Sequence, residues 1–295
     1  MNFFVPGVLF LLGLAVGSFL NVVIFRYSPS ENLFSLKRLW GRSECRACKK
    51  TLAWYELIPL ISFFVQRGKC RVCKTRLSWQ YPFVEFLCGV LAVAIPYFFQ
   101  TSSLFSVLGH ISWIGWTASA LWFVVFCCFI TILYLDARFR LIPNEINSVL
   151  VATGLLWTFM LSYVYEFLPN NLSFLGSFKG LFYGFSFPWQ GHLAGFIVGL
   201  ALFLGLVIIS WGRGMGMGDV KLMAALGLLF GWPDILIVIM LSFILGALTS
   251  VALMVVRKKK MSDQIPFGPF IVIAAVIVFF WGAGLASLYL GILTV

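Results

Sequence analysis

Two aspartates and four cysteines stand out in a chain otherwise poor in polar side chains. Asp136 lies in ITILYLDARFRLIPNEIN and Asp219 closes the glycine run GRGMGMGD, each beside a long apolar stretch. A carboxylate in such a place is costly inside a bilayer and is held there by solvation, pairing or function. Taken singly, either could be solvated or paired with Arg138, Arg140 or Lys221, and Asp219 is also suited to be a helix N-cap. Taken together they suggest chemistry. Two carboxylates sharing a site cannot both ionise cheaply, so one keeps its proton. The ionised member can activate a water while the protonated one polarises a carbonyl, which is how an aspartyl protease works. Gly216 and Gly218 suit the same reading, because glycine lets an extended substrate backbone approach closely while the local helix unwinds. The run makes no nucleotide motif: no register yields GxGxxG, and Lys221 is followed by Leu222 rather than Ser or Thr.

Cys45, Cys48, Cys70 and Cys73 form CxxC, 21 intervening residues, CxxC. Paired knuckles of this kind place two thiolates on each tight turn and can close a tetrahedron around Zn²⁺. Two disulfides are the competing explanation, but these cysteines fall on the basic, cytoplasmic side, where thiols stay reduced. A four-thiolate site would be structural, holding a loop too short to build its own core. Cys88, Cys127 and Cys128 lie in apolar helices and read as small buried hydrophobes.

The elements that must position these groups are membrane helices. The 295 residues are 61% hydrophobic, with a mean hydropathy of +1.01, against roughly 45–50% apolar for a soluble domain. Apolar runs predict transmembrane helices near 3–25, 82–99, 113–135, 147–168, 192–211, 235–256 and 268–291, with a shorter eighth at 219–232 behind the glycines. The first run has no basic n-region and no small-residue cleavage site, so it reads as a retained helix and not a signal peptide. If the N-terminus is outside, twenty of the 21 Lys and Arg fall on one side and only Lys179 on the other. They comprise twelve between Arg26 and Arg76, then Arg138, Arg140, Arg213, Lys221 and Arg257 to Lys260. Eight helices with both termini outside then put Asp136, ending helix three, and Asp219, starting helix six, at one depth on the cytoplasmic face.

The net charge of +11 is mostly this orientation signal. A polybasic surface facing membrane lipids of negative charge accounts for it, and no interleaved motif points to nucleic acid. By parity His110 and His192 are on the outer side, as interface residues. Gly195 and Gly199 suit tight helix packing, and Glu85, early in an apolar helix, should have a partner. A proton-coupled transporter is the non-enzyme alternative. It expects an internal repeat and a midplane site, whereas no repeat is visible and both aspartates sit at helix ends.

Asp136 with Ile142-Pro143, the GxGD of Gly216 to Asp219 continuing VKLMAALG, the N-terminal GSFLNVVIFR, the two CxxC pairs, LSWQYPFVE, and PFGPF at 266–270 together resemble the type IV prepilin peptidases. These are bifunctional leader peptidases and N-methyltransferases. The resemblance runs in order through essentially the whole chain, with one departure: FRYSPS, where a proline is expected soon after Arg26. It implies a bacterial inner-membrane or plasma-membrane enzyme that cuts a short basic leader from prepilins and pseudopilins, after a glycine, on the cytoplasmic side. Asp136 and Asp219 would be catalytic. The same enzyme would then methylate the new N-terminal amine with S-adenosylmethionine, an activity associated with the cysteine loop. Glu56, Gly68, Tyr81 and Glu85 are the loop residues to examine for it, and with no Rossmann fingerprint the donor site would be unorthodox. A peptidase without methylation, as in archaeal relatives, is the second enzyme reading.

The expected fold is therefore an all-α polytopic membrane protein of about eight transmembrane helices. Helix one occupies 1–25, a small cytoplasmic zinc-ribbon-like module 26–81, and a transmembrane peptidase domain with helices two to eight 82–295.

Overall fold

The computed structural model describes residues 4–29, 32–33, 41–101, 112–164, 173–174, 187–212, 214–256 and 265–293. His110, Lys179, Arg213 and Arg257 to Lys260 lie outside the described residues, and with them part of the charge asymmetry. The described residues form nine α-helices: α1 (Phe4–Arg26), α2 (Ile61–Val65), α3 (Gln80–Thr101), α4 (Ser112–Phe139), α5 (Asn144–Tyr163), α6 (Pro188–Ile209), α7 (Met217–Phe230), α8 (Asp234–Val255) and α9 (Gly268–Leu293). Seven of them, all but α2 and α7, are long and apolar enough to cross a membrane. The protein is an all-helical, polytopic membrane protein.

The eighth expected helix is present as α7, but it is short. Its 14 residues rise about 21 Å, against a hydrocarbon layer of about 30 Å. Every residue from Leu222 to Phe230 is buried, because α5, α6, α8 and α9 all pack against it. Protein surrounds this helix in place of lipid.

The chain divides into two compact units, Met1–Tyr97 and Phe98–Val295. In the first, α1 and α3 touch through glycines: a Cβ on Gly13 would lie 2.5 Å from the Cys88 carbonyl oxygen, and one on Gly17 would lie 2.7 Å from Glu85 Cα. The Asn21 amide donates to the Tyr81 carbonyl at 3.1 Å across the same seam.

In the second unit the closest approach is between α6 and α7. The backbones of Gly195 and Gly227 meet face to face, and a Cβ on Gly199 would sit 2.6 Å from the Met223 carbonyl oxygen. The packing expected of Gly195 and Gly199 is thus what they do. Gly231 stops α7 with φ of 77°, a conformation that strains any residue with a side chain. His192, expected at a membrane interface, is instead buried on α6. Its Nδ1 donates to the Leu228 carbonyl at 2.8 Å. The last carbonyls of a helix lack partners within it, and a helix ending inside the protein must find them in a neighbour.

An aromatic cluster surrounds the same end of α7. Trp122 on α4 meets Phe279 at 4.5 Å, Phe174 at 5.3 Å, Phe230 at 5.4 Å and Trp157 at 5.8 Å between ring centroids. Asp234, buried at the start of α8, accepts hydrogen bonds from the Ser173 hydroxyl and the Phe174 N–H, pinning Phe174 into the cluster.

Candidate active site

Asp136 occupies the last turn of α4, where it is buried. Its Oδ2 accepts the N–H of Gly268 at 3.0 Å, so the first residue of α9 orients the carboxyl. The helix ends at once: the Arg140 N–H returns to the Asp136 carbonyl at 2.9 Å, and Arg140 takes φ of 54°. Asp219 lies in the first turn of α7 but is not the N-cap. The helix starts earlier than expected because the glycine run joins it, so Gly216 is the cap and Asp219 sits three residues in. From there its Oδ2 accepts the Gly216 N–H at 3.3 Å, a favourable place for negative charge.

One side chain brings the two together. Ile142, immediately after α4, has its Cβ 3.3 Å from where a Cβ on Gly218 would stand, and its Cδ1 3.4 Å from that position on Gly268. The end of α4 and the starts of α7 and α9 therefore converge on Ile142, and the two carboxyls are close enough for the charge of Asp136 to act on Asp219. Among the described residues no cation forms an ion pair with either aspartate, although the charge of Arg140 acts on Asp136. Lys221 donates to the Asn144 side-chain oxygen at 2.8 Å, and Arg138 lies over the Phe139 ring at 5.0 Å.

Gly268 leaves no room for a side chain. A Cβ there would stand 2.6 Å from Asp136 Oδ2 and 3.4 Å from Ile142 Cδ1. Gly268→Ala is expected to turn the carboxyl aside and lower kcat by roughly tenfold to a hundredfold while KM changes little. Unaltered turnover in a peptidase assay would remove Gly268 from the site.

The cysteines form a second constellation, built from a repeated turn. Around Cys45 the Lys49 N–H bonds the Cys45 carbonyl and the Cys45 N–H the Lys50 carbonyl; around Cys70, Lys74 and Thr75 repeat the pattern. Lys49 and Lys74 take matching φ of 59° and 58°, and each turn is closed by one antiparallel bridge, Glu44 with Thr51 and Lys69 with Arg76. All four sulfurs lie within 4.8 Å of one another, with Cys45 and Cys73 3.7 Å apart. A Zn–S bond of about 2.3 Å sets tetrahedral sulfurs about 3.8 Å apart, so the four thiols could hold a metal ion of that geometry. The Thr75 hydroxyl, 3.2 Å from the Cys73 sulfur, and the Thr75 backbone hold that thiol below its ordinary value.

Residues 11–99 match the Bacterial Peptidase A24 N-terminal domain and residues 123–251 the Type IV leader peptidase family. The prepilin leader peptidase/N-methyltransferase of Aeromonas hydrophila is 30% identical, over 95% of this chain and 92% of that protein. The chain belongs to the type IV leader peptidase family. Proteins of the same name from Legionella pneumophila and Pseudomonas aeruginosa are each 28% identical over 95% of this chain, and over 93% and 91% of their own lengths. No solved structure matches. As a member of this family the protein is a membrane protease, and both aspartates fall inside the 123–251 match while the four cysteines fall inside 11–99.

The loop residues singled out for methyl transfer are each engaged locally. Glu56 accepts the Ala53 N–H of its own turn at 2.9 Å, and Glu85 accepts the Leu60 N–H at 2.9 Å, the partner its position demanded. Tyr81 stacks on Phe25 at 4.5 Å between centroids. Gly68 lines a cleft of about 510 Å³, formed with Phe63, Phe64, Arg67, Lys69, Arg76, Leu77 and Trp79. That lining has three cations and no carboxylate. S-adenosylmethionine carries a sulfonium and an ammonium against one carboxylate, so these residues do not fit it. Sequence reasoning gives Asp234 no role, places His192 only at an interface, and meets Gly268 only as part of PFGPF. For Gly268 the available signal was a glycine between Phe267 and Pro269 opening an apolar helix.

Proposed function

We propose that the protein is a membrane aspartyl endopeptidase that removes the short leader from type IV prepilins and pseudopilins after a glycine, with Asp136 and Asp219 as the catalytic pair. The observation that carries this reading is the convergence on Ile142 of the helix ends that bear the two carboxyls, each carboxyl oriented by a glycine N–H and neither in an ion pair among the described residues. In the reaction, the ionised aspartate takes a proton from a water whose oxygen attacks the scissile carbonyl carbon. The protonated aspartate gives its proton to the carbonyl oxygen. Collapse of the tetrahedral diol breaks the C–N bond, with the proton first taken from water passing to the leaving amine, and the shared proton returns to the pair. Gly216 and Gly218 offer an edge without side chains along which an extended substrate can lie.

The distribution of Lys and Arg supports placing this site and the cysteine module on the cytoplasmic face of a bacterial inner membrane. Zn²⁺ held by Cys45, Cys48, Cys70 and Cys73 would act structurally and take no part in cleavage. Cys70→Ser is accordingly expected to reduce bound zinc from one equivalent to under about a tenth and to expose residues 41–79 to limited proteolysis, both measurable on the purified protein. Full zinc content in that variant would count against the site.

N-methylation of the new terminus with S-adenosylmethionine is supported by the names of the relatives, and the residues that would hold the donor are not those of the cationic cleft. The deciding experiment is the mass of a prepilin after incubation with the protein and S-adenosylmethionine. The expected product begins at the residue after the leader glycine and is one methyl heavier. A cut but unmethylated product would confine the protein to proteolysis, and an uncut one would overturn the proposal.

A further inference from the structure

The cleft that does not fit the methyl donor fits something else. Its aromatic wall is Phe63, Phe64 and Trp79, with Trp79 5.1 Å from Phe63 and 6.5 Å from Phe64 between centroids. Phe64 and Trp79 are 60% and 70% exposed. Arg67, Lys69 and Arg76 also line the cleft, all exposed and none paired with a described carboxylate. Gly68 lines it between them in sequence. It takes φ of 64°, its N–H bonds the Phe63 carbonyl at 2.9 Å, and a Cβ there would stand 3.2 Å from the Phe63 ring. This shape is held by the backbone.

The position of the cleft in the chain fixes its surroundings. The module joins two membrane-crossing helices, leaving one at Arg26 and entering the next at Gln80, so both of its ends are tied to the membrane surface. Trp79 directly precedes Gln80 and stands at that level, where indoles concentrate. Ile61 and Val65 on α2, beside the same wall, are also 62% and 65% exposed. Three cations beside exposed apolar surface at a lipid boundary call for an amphiphile with a negative head.

We propose that this cleft is a binding site for the headgroup of an anionic phospholipid. Arg67 and Arg76 would take the phosphate through their guanidinium forks, Lys69 would add a point charge, and the rings of Phe64 and Trp79 would cover the glycerol and the first carbons of the acyl chains. The site is independent of the peptidase chemistry.

Native mass spectrometry of the full chain, stripped of lipid in a neutral detergent, tests it with phosphatidylglycerol and phosphatidylcholine as probes. One phosphatidylglycerol should bind at least about tenfold more tightly than phosphatidylcholine. Arg67→Gln/Arg76→Gln should lose roughly tenfold of that affinity or more at unchanged zinc content. Arg42→Gln/Lys50→Gln removes the same charge from exposed positions elsewhere in the module and should bind as the wild type does. Equal binding of phosphatidylcholine, or an equal loss in both double variants, would overturn the site in favour of bulk charge. Displacement of the lipid by inorganic phosphate would make it a free-anion site, and displacement by S-adenosylmethionine would return the cleft to the methyl donor; either result overturns the proposal.

Discussion

Asp136→Ala and Asp219→Ala are each expected to lower the rate of leader removal by about 10²–10⁴-fold, and the double variant to fall no further, because the two carboxyls work as a unit. Alanine also removes structure: it frees the Gly268 N–H in one case and the Gly216 N–H in the other. Asparagine separates the effects. An amide oxygen can still accept each N–H, so Asp136→Asn and Asp219→Asn should keep the thermal midpoint within a few degrees of the wild type while losing as much activity as alanine. Cleavage by either Asn variant at a tenth of the wild-type rate or above would remove that residue from the chemistry. In the wild type, the rate should rise and then fall with pH, with two apparent values that belong to the pair and to neither residue alone.

Gly227→Ala should cripple the protein without touching the site. The added Cβ would fall on the carbonyl of Gly195 and near the Phe196 nitrogen, all backbone, so no side chain can move out of the way. The two helices must part, and overpacking of this kind costs about 3 kcal/mol. Since α7 also carries Asp219, cleavage should fall with stability. Gly205, also on α6, has open space around its Cβ position. Gly205→Ala should be neutral or stabilising by up to about 1 kcal/mol, since alanine is the better helix former. Thermal unfolding of the two variants in the same detergent is the comparison to make. A Gly227→Ala protein as stable as Gly205→Ala would show that α6 and α7 are not locked at this contact.

Much of the site can be read from the sequence because rarity does the marking. In a chain with only 10 acidic residues, Asp136 and Asp219 are conspicuous, and helix parity alone predicts that they share one face. The CxxC pairs are as plain, since metal geometry tolerates few spacings. What sequence does not disclose is whatever depends on a partner distant in the chain. Gly268 orients a carboxyl 132 residues away, and a glycine gives no hint of what its N–H will meet. His192 reads as an interface residue until α7 is known to end beside it. The length of α7 is hidden for a related reason: the apolar run is real, but hydropathy cannot tell a helix surrounded by lipid from one surrounded by protein. Asp234 was overlooked because an aspartate after Trp232-Pro233 looks like an ordinary helix start.

The enclosure of α7 also restricts the direction from which a substrate can arrive. Exposure declines steadily along its first turn: Gly216 and Met217 are open, Gly218 and Asp219 half covered, and Val220 onward sealed, apart from Lys221. A pilin helix drifting sideways through the bilayer would meet the flanks of other helices and never this one. Only the tip is on offer, and a tip can be met only by a segment of chain that is not itself wound into a helix. On the proposed function, this enclosure favours cleavage at the junction between a leader and an apolar helix over bonds within the helix. That preference follows from a carboxylate mounted on the end of a buried post.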